Sequence, residues 1–228
     1  MNNVLVLQCS PHAGGVSDSV ANLFTQGMAE AGIEARTVAL RDYAFSPCTG
    51  CGGCSRPPHK CVLANRPLPG QNDACTQMDQ AEEIFQMINE AHLVMISSPV
   101  YFYFLPAHFK ALIDRTQRFW MLQGGEDRVP LPLSRAKPVL VAMTAGRRRG
   151  NLLFSGSLLS LKYFLAPLGA AIRETRLLRG LESLKDLQER PAVTAALHAW
   201  GHDWGHRIAT ENASYELTQP LPVEAVKP

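Results

Sequence analysis

Charge is scarce in this sequence and nearly balanced: Asp, Glu, Lys and Arg make up 18% of its 228 residues, and the formal net charge is +2. A field that weak does not attract nucleic acid or an acidic membrane surface, so neither is expected as a partner. No apolar run approaches the ~20 residues that a membrane-spanning helix needs. Met1 to Leu7 has no basic segment and no cleavage site, so it reads as a strand rather than an export signal, and a cytoplasmic, reducing location is expected. Also missing are a G-x-G-x-x-G turn, the Lys-Ser/Thr of a P-loop, an internal repeat, a Ser-His-Asp set and a carboxylate pair. Those gaps weaken the Rossmann dinucleotide-binding and NTPase readings. The last two gaps say nothing about an enzyme whose cofactor carries the chemistry. With 46% hydrophobic residues the chain has material for a proper core, which excludes a disordered protein.

What is present alternates. Apolar runs at 3–9, 33–40, 93–96, 138–144 and 171–178 read as strands. Between them, helical periodicity spans 18–31, 78–90, 106–120 and 151–165, and a last helical stretch, 184–210, is interrupted near Pro191 and Gly201. Ser17 is the expected N-cap of the first helix, and Gly32 its end. Strand and helix in strict succession predict a doubly wound α/β domain: a five-stranded parallel sheet, order 2-1-3-4-5, in three α/β/α layers. The domain is expected over 1–212, with an irregular cysteine-rich loop at 41–77 and an extended tail at 213–228. In such a sheet, ligands bind at the carboxyl ends of the strands, where the strand order reverses.

Three exit loops carry the chemistry. After the first strand, Ser10-Pro11-His12-Ala13-Gly14-Gly15-Val16-Ser17 offers hydroxyls, open backbone and a helix N-terminus, which suits one terminal phosphate. An ordinary capped turn is the plainer alternative. After the third strand, Pro99-Val100-Tyr101-Phe102-Tyr103-Phe104 is aromatic. Aromatics there suit the planar ring of a flavin mononucleotide (FMN), although some of them must close the core. After the fourth strand, Arg147, Arg148 and Arg149 follow Thr144-Ala145-Gly146. They suit either a cation near the flavin or a cofactor phosphate, or form a solvated surface.

The most regular pattern is Cys48-x2-Cys51-x2-Cys54-x6-Cys61. Packing does not generate fixed cysteine spacing. Closely spaced thiolates with glycines between them match iron-sulfur ligation best. Free thiols or a disulfide, and a zinc site, remain open alternatives, although zinc normally uses separated pairs. Cys9, at the end of the first strand, reads as core. His198, His202 and His206 share a helical face, more suited to a surface or subunit contact than to a metal. Asp114-Arg115 reads as an ion pair or a subunit contact.

In order along the chain, Ser10-Pro11 with Gly15 and Ser17, the four-cysteine pattern, Ser98-Pro99-Val100-Tyr101, and Phe109-Lys110-Ala111-Leu112-Ile113-Asp114-Arg115 resemble the flavodoxin-like NAD(P)H-dependent FMN reductases. The likeness covers roughly 3–180 and is greatest to their iron-sulfur flavoprotein branch. It implies FMN at the first, third and fourth loops. Ser10, His12, Val16, Ser17 and Asp18 would lie near the phosphate, Pro99, Val100, Tyr101 and Phe102 along the ring, and Thr144, Ala145 and Gly146 at its pyrimidine edge. It further implies a [4Fe-4S] cluster on Cys48, Cys51, Cys54 and Cys61, and assembly as a homodimer or homotetramer. The chain departs from the family pattern at His12, where arginine is common. It departs again over Val62 to Gln77, where an extra Cys75 competes with Cys61 for the fourth ligand position.

The expected protein takes electrons from NAD(P)H and passes them to flavin, quinone, oxygen or a ferredoxin-like protein. Rival readings are a ferredoxin-linked carrier or sensor without nicotinamide turnover, and an interaction protein with a zinc knob. The cysteine loop, leaving the second strand, is expected on the same rim as the flavin.

Overall fold

The computed structural model describes residues 3–64, 66–68, 78–125 and 131–211. Five parallel strands, β1 (Val4–Gln8), β2 (Ala35–Ala39), β3 (Leu93–Pro99), β4 (Lys137–Ala145) and β5 (Ala170–Arg179), form one sheet in the order β2-β1-β3-β4-β5. Val4–Gln8 is hydrogen-bonded on both edges, to Ala35–Ala39 and to Leu93–Ser97. It is therefore buried throughout, as its unbroken apolar run demands.

Alternating side chains build two cores. Val4, Val6, Leu93, Met95, Leu140 and Ala142 face α1 (Val16–Glu30) and α7 (Pro191–Glu211). Leu5, Leu7, Val94, Ile96, Val139 and Val141 face the other side, covered by α2 (Ala81–Glu90), α3 (Ala107–Arg115) and α5 (Ser155–Leu165). The layers are those the alternation predicted. Each fully buried side chain such as Phe24, Phe109 or Phe164 contributes about 1.5–3 kcal/mol from leaving water.

Several boundaries differ from expectation, each for a local reason. The first helix starts at Val16 with Gly15 as its N-cap, and Ser17 sits buried in the first turn because its hydroxyl bonds across the sheet. Gly32 does end that helix, in the left-handed conformation at φ +77°. The expected helix 106–120 is two helices, α3 and α4 (Gln117–Leu122), parted at Thr116. The fifth begins at Ser155 rather than 151. The last helical stretch divides into α6 (Leu184–Gln188), started by a Ser183–Asp186 capping box, and an unbroken α7. Pro191 opens α7 at its first position, where a missing N–H loses no bond.

Gly201 does not interrupt α7. A Cβ there would stand 2.0 Å from the Phe24 carbonyl oxygen, and one on Gly27 2.0 Å from that of His198. These glycines bring α1 and α7 backbone to backbone, and Trp200 closes edge-on over Phe24 at 5.2 Å. Among the described residues, no helix is long and apolar enough to cross a membrane. The expected tail at 213–228 and Cys75 lie outside the described residues.

Candidate active site

The loop after β1 exposes Pro11, His12, Ala13 and Gly14, and α1 starts behind it with no side chain bonded to its cap. The loop is braced from inside. Ser10 Oγ accepts the His12 amide and donates to the His12 carbonyl, both at 3.1 Å. Asp18, buried, accepts the Gly14 amide at 2.8 Å. Arg41 then neutralises that carboxylate, pairing with it at 2.9 Å and donating to the Ser10 carbonyl at 3.2 Å. Without Arg41, a bare carboxylate in the first turn would repel any anion brought to this helix end. Sequence reading missed Arg41. Its only signal is position: it lies two residues past the end of β2, the strand beside β1.

The other two loops are tied to this one. Ser17 and Thr144 share a hydrogen bond at 2.8 Å, both buried. Ser97 Oγ donates to the Ser17 carbonyl at 2.7 Å, and the Val100 amide donates to the Thr144 carbonyl at 2.8 Å. The candidate residues on all three loops therefore form one continuous rim. Ser17, Asp18 and Thr144 brace it from below, while His12, Gly14 and the aromatic loop face out.

That aromatic loop is a tight turn in which Tyr101 and Phe104 exchange backbone hydrogen bonds. Phe102 and Tyr103, at φ +49° and +65°, occupy the left-handed region that bulky residues avoid. Such residues cost about 1–3 kcal/mol each and concentrate at functional sites. Phe102 is wholly exposed, and Tyr103 receives a 2.6 Å hydrogen bond from Arg147. Opposite, Gly146 lies under the exposed Glu182 side chain: a Cβ would lie 1.5 Å from a Glu182 carboxylate oxygen and would have to displace it. Burial, then that carboxylate, holds the Tyr101 phenol above its ordinary value. Glu182, after β5, is a second rim residue that sequence reading did not single out.

The cysteine loop takes a different course. It leaves β2 at the rim, where His108 near the start of α3 bonds the Leu40 and Tyr43 carbonyls. It then follows α3 away from the rim. At the far end Arg115 donates to the Ser46 carbonyl at 2.9 Å and to both oxygens of Asp79 at 2.8 and 3.1 Å. Seven residues of helix, about 10 Å, separate His108 from Arg115. The thiols therefore do not sit on the same rim as the first loop. The reason is that Asp114-Arg115 does not form a pair of its own: Arg115 turns inward to Asp79, and Asp114 pairs with Lys110.

Asp79 also accepts the Ser46 amide, and the Gln80 amide bonds the Ala44 carbonyl, so both ends of the loop meet at this buried pair. Burial opposes the Arg115 charge, but Asp79 and the adjacent Cys61 outweigh it and hold the guanidinium above its ordinary value. The Arg115 guanidinium also bonds the Cys61 side chain.

Cys48 and Cys51 are exposed, Cys54 and Cys61 half-buried, and none of the four is in a disulfide. Burial, followed by the neighbouring Cys61, Cys48 and Cys51, pushes the Cys54 thiol up. A hydrogen bond from Gly53, then one from Thr49, brings Cys51 down. Among the described residues, no three His, Cys, Asp or Glu side chains converge on one metal ion. Cys9 is buried, as expected of core. His198 faces Glu30 at 3.1 Å, and His202 and His206 meet edge to face.

A 2-1-3-4-5 parallel sheet with a braced phosphate-type loop and an aromatic loop at its reversal point defines the class of flavodoxin-like α/β proteins. The model of the NADPH-dependent FMN reductases matches residues 2–168, and the chain belongs to that family. It is 28% identical over 114 residues to an iron-sulfur flavoprotein of Methanocaldococcus jannaschii, a stretch covering 50% of this chain and 51% of that protein. The chain thus spans about half the length of the curated relatives it matches. Solved structures share the fold. A flavone reductase superposes with TM-score 0.61 at 13% identity, covering 95% of this chain and 66% of that one. An NAD(P)H:quinone oxidoreductase from Methanothermobacter marburgensis gives 0.59 at 17%, covering 90% and 95%.

Proposed function

We propose that the protein is an FMN-dependent oxidoreductase that takes hydride from NAD(P)H. It passes the electrons to flavin, a quinone, oxygen or a ferredoxin-like protein. The observation that carries this reading is the rim itself: three loops, from β1, β3 and β4, locked together by the Ser17–Thr144 hydroxyl pair in a member of this family. FMN, when bound, supplies the hydride acceptor, and an iron-sulfur group supplies a one-electron outlet.

The residues present fit FMN. The exposed backbone of Gly14 has no side chain to keep a phosphate off, and the amides opening α1 point at the same space. Tyr101 and Phe102 offer apolar faces beside it, and Gly146 adds no side chain at the expected pyrimidine edge. The cysteine set fits an iron-sulfur group better than zinc. Its support is the ligand spacing and the iron-sulfur flavoproteins among the relatives; the four sulfurs lie within electrostatic reach of one another, and the Arg115 guanidinium is bonded to Cys61. Cys48, Cys51, Cys54 and Cys61 would hold it. Exposed Leu152, Leu159 and Tyr163 around α5 suit contact with a second copy in a homodimer or homotetramer.

Anaerobic loading with FMN, iron and sulfide tests both parts. Flavin binding with NAD(P)H oxidation in the presence of a quinone or free flavin is expected, together with iron and sulfide in the protein. Failure to bind saturating FMN would sink the whole reading. Flavin without iron would sink the cluster alone. A second reading, a ferredoxin-linked carrier, draws on the surface position of Cys48 and Cys51. It predicts fast reduction by ferredoxin and no nicotinamide turnover.

A further inference from the structure

Among the described residues, Arg115 is the one cation that the fold buries outright, with its side chain wholly removed from solvent. A buried ion pair is a poor source of stability by itself, because apolar residues of the same volume serve as well. The grip on the cysteine loop therefore does not account for an arginine at this position. What a guanidinium adds is a fixed positive charge, with donors left over once a carboxylate is satisfied. Two of its nitrogens serve Asp79 and the Ser46 carbonyl, and the group also reaches the Cys61 side chain. Arg118, three residues on, is engaged by Glu82 instead.

Cys61 stands in a segment that is already folded against Cys54. A Cβ on Gly53 would lie 2.6 Å from Val62 Cγ1, so the backbone beside Cys54 rests on the residue beside Cys61. His59 Nδ1 bonds the Cys54 carbonyl at 2.9 Å, and the Ala64 amide bonds the Cys61 carbonyl at 3.2 Å. Cys48 and Cys51, by contrast, stand exposed. Cys61 thus combines a braced backbone with a permanent charge at its side chain. A cysteine that ligates iron does so as a thiolate, and each electron added to an iron-sulfur group makes it more negative. A cation bonded to a ligand sulfur therefore favours the reduced form over the oxidised one, which raises the reduction potential.

We propose that Arg115 is a positioning residue for the iron-sulfur group: it fixes the Cys61 sulfur in the ligand set and raises the potential at which one electron is accepted from reduced flavin. Arg115 neither takes up nor releases a proton in that step, so the charge it presents to the sulfur is constant. Asp79, a carboxylate bonded to the same guanidinium, opposes it. The inference rests on the iron-sulfur part of the proposed function and goes beyond it in naming a residue that is not a ligand.

The test is a spectroelectrochemical titration of the anaerobically reconstituted, FMN-loaded protein, with iron and sulfide counted in each sample. Asp79→Asn removes the opposing charge and should raise the iron-sulfur potential. Adding Arg115→Gln to Asp79→Asn strands no carboxylate and should lower the potential again by about 59 mV or more, a tenfold change for a one-electron couple. Arg115→Lys in the same background should recover most of that loss, since it restores the charge. A purely mechanical grip predicts that both positions loosen the loop alike, with iron lost and no opposed shifts. Potentials that move together or do not move overturn the inference, as does loss of iron from Asp79→Asn. Iron lost only when Arg115→Gln is added, with FMN bound and the fold intact by circular dichroism, supports the hold on Cys61. A parent protein that binds FMN and no iron sinks the cluster reading and this inference with it. A parent that holds iron, with variants whose potential does not respond, sinks this inference alone.

Discussion

The flavin-type rim and the cysteine loop both begin at the carboxyl ends of neighbouring strands, but they are held in opposite ways. The rim is knotted at its centre: Ser17 to Thr144, Ser97 to Ser17 and Val100 to Thr144 join three loops through buried bonds. The cysteine loop is gripped at its two ends by Arg115 and Asp79, while its thiols stand half-buried or exposed between them. One site is finished by the protein. The other leaves four thiols outside any disulfide, two of them exposed, on a loop gripped at its ends.

Breaking the grip on the cysteine loop should have the largest effect. Arg115→Met leaves the Asp79 carboxylate buried without its counter-charge and frees the Ser46 carbonyl, at a loss of about 3–5 kcal/mol in chemical denaturation. A loss under about 1 kcal/mol would mean that the pair does not anchor the loop. Cutting the knot of the rim comes next. Ser17→Ala strands the Thr144 hydroxyl and should remove about 1–2 kcal/mol, read by thermal unfolding, with weaker FMN binding in calorimetry. If stability falls and FMN binding does not, the rim is bracing only. The smallest effect should come from the thiols. Cys48→Ser, at an exposed position, should stay within about 0.5 kcal/mol of the parent without metal, yet abolish iron uptake on reconstitution. Undiminished iron in that variant would remove Cys48 from the ligand set.

The strand order, the layers and the positions of the three loops were legible in the sequence because each depends on local periodicity. The cysteine spacing was legible for the same reason. What was not legible depends on pairs far apart in the chain. Arg41 reaches back to Asp18, Arg115 to Asp79 and Glu182 to Gly146, and no local pattern marks which arginine turns inward. Ser17 has the composition of a cap but serves as a bridge, because Thr144 stands opposite. The glycines of α7 misled for a related reason. Alone they weaken a helix, but against α1 they are the only residues that fit.

That contact between α1 and α7 sets the terms for redesign. The loops at the rim are open to grafting, since most of their outward side chains touch only one another or solvent. Helix α1 is not open to it: its tip frames the candidate phosphate position, while its back touches another backbone through Gly27 and Gly201. A library that varied those glycines would move the tip before it touched a ligand. The place to alter what this protein binds is its loops, and the datum from which those loops are measured is a pair of missing methyl groups on the far side of α1.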